Sequence, residues 1–325
     1  MIVKSPNKLP ERKREDWYIF LAGPIQDAPD WQNTIENIEG VTFLSPRRES
    51  YENFNWDEQV KWETVGLRIC DVVLFWIPPY LTKPETRDYA QTTRTEFGEM
   101  IGRGKKIIFG CHNDFPGRRY FVEKCENYGI TPHDNLEDCI QELRDYIVMK
   151  KPGVYFTSDT HFSSQRTFEL SKRPFRSVED MDWTMIERWN QKVTPGSTVY
   201  HLGDFGETWP LQYLNGNIEL VLGNYEREAG VDYMNSLLEL FDKVKQDDVV
   251  EGMFLYHEPI EGNKRREDSG CKYLLFGHIH GRQKIKEFGI DIGIDGNNYM
   301  PYSIEDINFY LNAIDKGYYD SEVFC

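Results

Sequence analysis

Long hydrophobic runs are missing from this 325-residue sequence. The longest, such as residues 72–79, fall far short of the roughly 20 apolar residues that cross a bilayer, so no membrane partner is expected. The opening residues are polar, with Lys4, Lys8, Arg12, Lys13 and Arg14, and no leader is expected there. Positive charge is also short: 38 Lys and Arg stand against 54 Asp and Glu, a net charge of −16. Such a balance disfavours non-specific binding to DNA, RNA or anionic lipid. A nucleotide substrate is still allowed, because bound divalent ions would invert the local field. Cysteine is sparse and scattered (Cys70, Cys111, Cys125, Cys139, Cys271 and Cys325), with neither CxxC nor zinc-ribbon spacing. That pattern reads as free thiols in a reducing cytoplasm. No internal repeat or low-complexity tract is present, and Gly23-Pro24 without GxGxxG argues against a dinucleotide-type phosphate loop.

What remains is an ordinary globular composition, 39% hydrophobic and 28% charged, and the length suits two domains. Residues 17–23 read as a buried strand ending in a Gly-Pro turn. Residues 30–38 read as a helix, 41–44 as a strand, 56–69 as an amphipathic helix and 71–77 as an apolar strand. A helix over 93–103, a strand over 106–110 and a closing helix over 137–147 follow. Strands alternating with helices indicate a parallel α/β sheet. Met149-Lys150-Lys151-Pro152-Gly153 is a polar break, placing a boundary between residues 1–150 and 151–325. Beyond it a strand is expected over 154–157, and Ser177 with Asp180 resembles a helix cap. Met181, Met185, Ile186 and Trp189 fall near helical spacing and read as core. The remainder reads as strands alternating with loops, and His201 as a packed histidine.

Histidine is scarce as well, with seven in the chain, and four of them belong to one dispersed pattern. Asp159 and His161, Asp204, Asn224, His257, then His278 and His280 each follow a short apolar run, where a strand hands over to a loop. Oxygen and imidazole donors of this kind suit zinc, manganese or iron. The set Asp159-Thr160-His161, Gly203-Asp204, Gly223-Asn224-Tyr225-Glu226, His257 and Gly277-His278-Ile279-His280 resembles the calcineurin-like metallophosphoesterase family over about residues 152–315. The resemblance implies two divalent metal ions (Mn, Fe, Zn or Ni). One would be held by Asp159, His161, Asp204 and His280, the other by Asp204, Asn224, His257 and His278, with Asp204 bridging. Two cations can clamp the oxygens of a phosphoester and make a bound water nucleophilic near neutral pH. The family has His after Gly-Asn where this chain has Tyr225. A tyrosine donates a hydrogen bond there but gives up its proton reluctantly.

The first half carries a different set: Leu21-Ala22-Gly23-Pro24, Ser45-Pro46-Arg47-Arg48, Gln59-Val60-Lys61-Trp62-Glu63, Asp71 through Phe75-Trp76, and Thr95-Glu96-Phe97-Gly98. In this order they resemble the nucleoside 2-deoxyribosyltransferase-like superfamily over about residues 17–130. The resemblance implies attack at an anomeric carbon with Glu96 as the nucleophile, and a helix N-terminus is expected to hold that carboxylate ionised. A second group must protonate the departing base, and Asp71 and Asp88 are the candidates. Gly23 and Pro24 would shape the substrate turn, and the Arg47 and Arg48 guanidinium groups would grip a 5′-phosphate. Trp56, Trp62 and Trp76 read as core before they read as a stacking wall.

Together these readings predict an α/β protein: an N-terminal Rossmann-like parallel-sheet domain and a C-terminal metallophosphoesterase α/β/β/α sandwich. The expected activity is bifunctional nucleotide metabolism, with N-glycosidic cleavage or transfer on (deoxy)nucleosides or nucleotides and dimetal phosphoester hydrolysis. The alternative is a metallophosphoesterase with a non-catalytic nucleotide-binding sensor domain. A homo-oligomer is expected, since relatives of the first domain often complete their sites from a neighbouring subunit.

Overall fold

This computed structural model describes residues 1–83 and 88–319. The chain divides into two compact units, Met1–Lys151 and Pro152–Cys325. In the first, the unbroken apolar run β2 (Trp17–Ala22) is buried at every residue. Such a run suits a parallel strand covered on both faces. Around it lie β1 (Ile2–Lys4), β3 (Val41–Ser45), β4 (Val72–Ile77), β5 (Lys106–Cys111) and β6 (Pro132–His133). The order is β1-β3-β2-β4-β5-β6 and every pairing is parallel. Ile19 sits level with Phe43 on one side and Val72 on the other.

The helices of this unit are α1 (Trp56–Ile69), α2 (Gln91–Gly102), α3 (Arg118–Asn127) and α4 (Leu136–Met149). One face of the sheet packs rings with these helices: Phe20 with Trp62 of α1, Phe75 with Phe97 of α2, and Phe109 with Phe121 of α3. The other face buries Ile19, Leu21, Leu74 and Ile108 against Cys139 and Leu143 of α4. The sheet reverses its winding at β2, with β3 on one side and β4 on the other. The carboxyl ends of the strands flanking such a reversal leave a crevice.

The structure departs from the expected elements in four places here, the two-residue strand β6 among them. Residues 30–38 form only a short 3-10 turn at Gln32–Thr34, not a helix. The Asn33 amide bonds Asp30 and the Thr34 hydroxyl bonds the Trp31 carbonyl, local hydrogen bonds that compete with helix. Strand β1 and helix α3 carry patterns too short or too polar to stand out.

The second unit opens with β7 (Val154–Thr157), α5 (Gln165–Leu170), α6 (Val178–Lys192), β8 (Thr198–His201) and β9 (Asn217–Val221). It continues with α7 (Asn224–Glu228), α8 (Val231–Leu240), β10 (Lys243–Lys245), β11 (Asp248–Val250), β12 (Met253–Leu255) and α9 (Pro259–Ser269). It closes with β13 (Tyr273–Phe276), β14 (Ile285–Lys286), β15 (Gly289–Asp291), β16 (Tyr302–Ser303) and α10 (Ile304–Asp315). Two five-stranded sheets result, β10-β9-β8-β7-β16 and β11-β12-β13-β15-β14. Alternate residues sort to the two faces. Phe156, Val221, Leu255, Leu275 and Ile290 share one core between the sheets. Val199, Ile218 and Leu220 pack instead on Met181, Met185, Ile186 and Trp189 of α6. Ser177 caps that helix by accepting from Asp180 N at 3.1 Å. Helices α8, α9 and α10 stand where strands and loops were expected.

Candidate functional site

A cavity of about 500 Å³ lies at the carboxyl ends of β2 and β3 in the first unit, against the starts of α1 and α2. Gly23 and Pro24 form part of its wall. Gly23 has to be glycine, because a Cβ there would stand 2.2 Å from the Trp76 carbonyl oxygen. Asn55 caps α1 by accepting from Asp57 N and Glu58 N, and the helix then presents Trp56, Gln59 and Glu63 to the cavity. Ala90, which holds a left-handed φ of 57°, immediately precedes helix α2, and the helix contributes Glu96. Trp56 is 69% exposed. Its ring meets Phe54 edge-on at 4.9 Å, and Phe54 lies 5.9 Å from Tyr51, so three rings make an aromatic shelf beside the two carboxylates.

Burial, Glu63 and Glu99 together push the Glu96 carboxyl up to about 8. Glu63 is also raised by burial, against an opposing hydrogen bond from Gln59 and the charge of Arg48. Glu96 is the sixth residue of α2, beyond the first turn where the helix dipole acts. The expected ionisation of Glu96 by a helix N-terminus is therefore corrected, and its surroundings favour the neutral acid.

In the second unit the donor residues gather at strand ends. Asp159 follows β7, Asp204 follows β8, Asn224 follows β9, His257 follows β12 and His278 follows β13. They form two clusters able to hold a metal ion, Asp159–His161–His280 and Asp204–His257–His278. One oxygen of Asp204 lies 3.5 Å from His161 Nε2 and 3.5 Å from His257 Nε2, so it joins the clusters. Asn224 Oδ1 stands 3.2 Å from His257 Nε2 and 3.1 Å from His278 Nδ1. Donors bound at about 2.0–2.2 Å around one ion stand roughly 3–4 Å apart, and these separations match. Among the described residues both ring nitrogens of buried His161 lack a hydrogen-bond partner, which suits a ligand position. Burial lowers this imidazole to about 4, keeping its donor lone pair free at neutral pH.

The surroundings orient these donors. His257 Nδ1 meets the Leu202 carbonyl at 2.6 Å, and His280 Nδ1 meets Asp295 at 2.9 Å, which leaves each Nε2 for an ion. Arg173 holds Asp295 through both carboxylate oxygens and also donates to the Asp159 and Thr160 carbonyls. Glu226 accepts from the backbone N–H of Asp204, Phe205 and Gly223, clasping two ligand loops together. Asp159, His161, Asp204, His278 and His280 all take left-handed backbone, with φ from 47° to 72°. Non-glycine residues adopt that region seldom, and such strain collects at functional sites. Gly277 fits because a Cβ would fall 2.3 Å from Asp159 Oδ2.

Residues 16–115 match the family described as nucleoside 2-deoxyribosyltransferase like. The first unit thus carries a deoxyribosyltransferase-like domain. An uncharacterized protein from Methanocaldococcus jannaschii is 27% identical over 184 residues, 52% of this chain and 95% of that relative. A crystal structure of a protein of unknown function from Aquifex aeolicus aligns with a TM-score of 0.41 and 23% identity, over 49% of this chain and 99% of that one.

Several expected roles in the deoxyribosyltransferase-like domain change. Asp71 precedes β4, at the sheet edge opposite the cavity, where it is buried in an ion pair with Arg12 and accepts from Tyr18 N at 2.7 Å. Asp88 is exposed and outside the cavity wall. Neither is placed to protonate a departing base. Arg47 lines the cavity, but its guanidinium bonds Gln32, Asp30 and the carbonyls of Ile25 and Pro29. Arg48 is buried against Gln59 and Glu58. Each guanidinium is engaged inside the protein through its Nε and one Nη. Trp62 and Trp76 are core, as expected, but Trp56 belongs to the shelf. In the other unit, the Tyr225 ring stands edge-on to His161 at 4.9 Å and its hydroxyl accepts from Arg166 at 3.0 Å. Sequence reasoning missed Arg166, Glu63, Tyr51 and Phe54 as site residues. Glu63 was within reach, since it lies one helical turn from Gln59.

No helix among the described residues is long and apolar enough to cross a membrane. Among the described residues Cys70, Cys111, Cys125, Cys139 and Cys271 form no disulfide, and Cys325 lies outside the described residues.

Proposed function

We propose that the chain joins two chemistries of nucleotide metabolism: N-glycosidic cleavage or transfer in the first unit and dimetal phosphoester hydrolysis in the second. The first half rests on the paired carboxylates Glu63 and Glu96 in one cavity beside an aromatic shelf. Glu96 attacks the anomeric carbon while the shelf of Tyr51, Phe54 and Trp56 stacks the base. An anion next to an oxocarbenium-like transition state lowers its energy before capturing it. Arg47 and Arg48 are both committed to internal acceptors through Nε and one Nη, which favours an uncharged nucleoside over a 5′-phosphate.

The second half rests on Asp204 joining the two donor clusters through one oxygen. Asp159, His161, Asp204 and His280 would hold one divalent ion, and Asp204, Asn224, His257 and His278 the other. Bound there, the ions supply charge neutralisation and an acidified water. Two sheets sharing a core, with α6 on an outer face, support a metallophosphoesterase sandwich. Arg166, anchored on Tyr225, offers a permanent cation to a phosphoester oxygen but no readily lost proton. That pairing favours substrates whose leaving group departs without protonation.

Base release from deoxynucleosides, and nitrophenolate release from bis-p-nitrophenyl phosphate with Mn²⁺, test the two halves in one preparation of the full chain. Glu96→Ala is expected to abolish the first alone, and Asp204→Asn the second alone. A chain that binds nucleosides but releases no base would be a sensor fused to a phosphoesterase. Diester hydrolysis that survives Asp204→Asn would remove the dimetal reading.

A further inference from the structure

Breaking a C1′–N bond leaves a base that has to gain a proton, and neither Asp71 nor Asp88 stands at the cavity. Glu63 does. Its position is set by Gln59, whose amide nitrogen donates to Glu63 Oε1 at 2.8 Å and to the Pro46 carbonyl at 2.8 Å. The amide oxygen of Gln59 accepts from Ser5 at 2.8 Å and from Arg48 Nε at 2.7 Å. All four hydrogen-bonding positions of this amide are used, so it cannot flip and can only donate to Glu63. One oxygen of Glu63 is thereby held, and Oε2 makes no hydrogen bond among the described residues.

We propose that Glu63 is the proton donor and acceptor of the first-unit cavity, acting together with Glu96. This rests on reading the cavity as a glycosyl-transfer site. Two carboxylates in one half-buried pocket cannot both ionise at low cost, so around neutral pH the pair keeps a proton. The free protein favours it on Glu96, which burial and the charges of Glu63 and Glu99 all raise. Positive charge growing at C1′ beside Glu96 favours its carboxylate, and the proton then belongs to Glu63. In the first step Glu96 forms a bond to C1′ and the C1′–N bond breaks. Its electron pair goes to the base nitrogen, which takes the proton from Glu63. In the second, Glu63, now a carboxylate, takes a proton from an incoming water or acceptor base. That nucleophile displaces Glu96 from C1′ and restores the starting state.

The test uses the full chain, its best natural deoxynucleoside and 4-nitrophenyl 2-deoxyriboside, whose leaving group departs without a proton. A positioned general acid is worth about 10²–10⁴-fold. Glu63→Gln is expected to lose about that much on the nucleoside and less than about tenfold on the nitrophenyl substrate. It should also lose the alkaline limb of the pH–kcat/KM profile. Glu63→Asp, which keeps the carboxyl one methylene shorter, should retain that limb. Equal losses on both substrates, or an alkaline limb that persists in Glu63→Gln, overturn the assignment. So does a 2-fluoro-2-deoxyribosyl ester trapped on Glu63 instead of Glu96. A wild-type chain inert towards every nucleoside removes the glycosyl-transfer reading itself, and the role of Glu63 with it.

Discussion

Replacing Asp71 with asparagine separates a structural carboxylate from a catalytic one. Asp71 and Arg12 are both 2% exposed at their side chains and form a direct ion pair. Arg12 also donates to the Ile69 carbonyl at 2.7 Å and lies 4.4 Å over the Tyr18 ring. The N-terminal segment is thus tied to the amino-terminal edge of the sheet. The asparagine side chain could still accept from Tyr18 N, so the loss is mainly that of the negative charge facing a buried guanidinium. Removing one partner of a buried pair costs roughly 3–5 kcal/mol. For a unit of about 150 residues, each kcal/mol moves Tm by about 2–4 °C, giving a fall of roughly 6–20 °C. Circular dichroism melting of the full chain reads this directly. The double variant Arg12→Met/Asp71→Asn should lose less than Asp71→Asn alone, because no buried charge is left unpaired. Base release at 25 °C should stay within a few-fold of wild type. A melt displaced by less than about 2 °C, together with a hundredfold loss of base release, would refute the structural role and return Asp71 to the chemistry.

Three further outcomes follow from the same geometry. Glu96 has a folded pKa near 8, above its unfolded value, so its contribution to stability is complete below about pH 4.5 and is lost as pH rises through 8. Urea unfolding of Glu96→Gln should show a shallower decline between pH 6 and 9, by on the order of 1 kcal/mol after allowing for solvent screening, and an unchanged slope would contradict the shift. Mn²⁺ or Zn²⁺ at 100 times its Kd should stabilise the chain by about 2.7 kcal/mol in thermal melts, and Asp204→Asn should erase most of that gain; wild type that gains nothing denies the metal site. Trp56→Ala should raise the KM for nucleosides by roughly 5–100-fold with kcat and Tm little changed, as expected for a lost stacking surface, whereas a large drop in Tm would return Trp56 to the core.

The unbroken apolar runs 17–22 and 72–77 announce parallel strands because burial on both faces leaves no polar alternation. The donor residues of the second unit were legible for a related reason. Each follows a short apolar run, and histidine is too rare in this chain to recur there casually. Residues 30–38 were misread because helical spacing says nothing about the side-chain bonds of Asn33 and Thr34.

What the sequence by itself determined is which residues could do chemistry: Glu96 upstream, and the aspartate, asparagine and histidine donors downstream. Periodicity and strand-end position are local properties, readable from neighbours a few residues apart. Only the tertiary structure decided which of the ionisable groups share a space. It carried Asp71 to the far edge of the sheet and locked it on Arg12, 59 residues away in the chain. It spent Arg47 and Arg48 on internal acceptors, and it brought Glu63 to the cavity of Glu96 through a helix that Arg48, Ser5 and Pro46 hold in place by Gln59. Pairing and burial depend on distances through space, which no spacing along the chain can express.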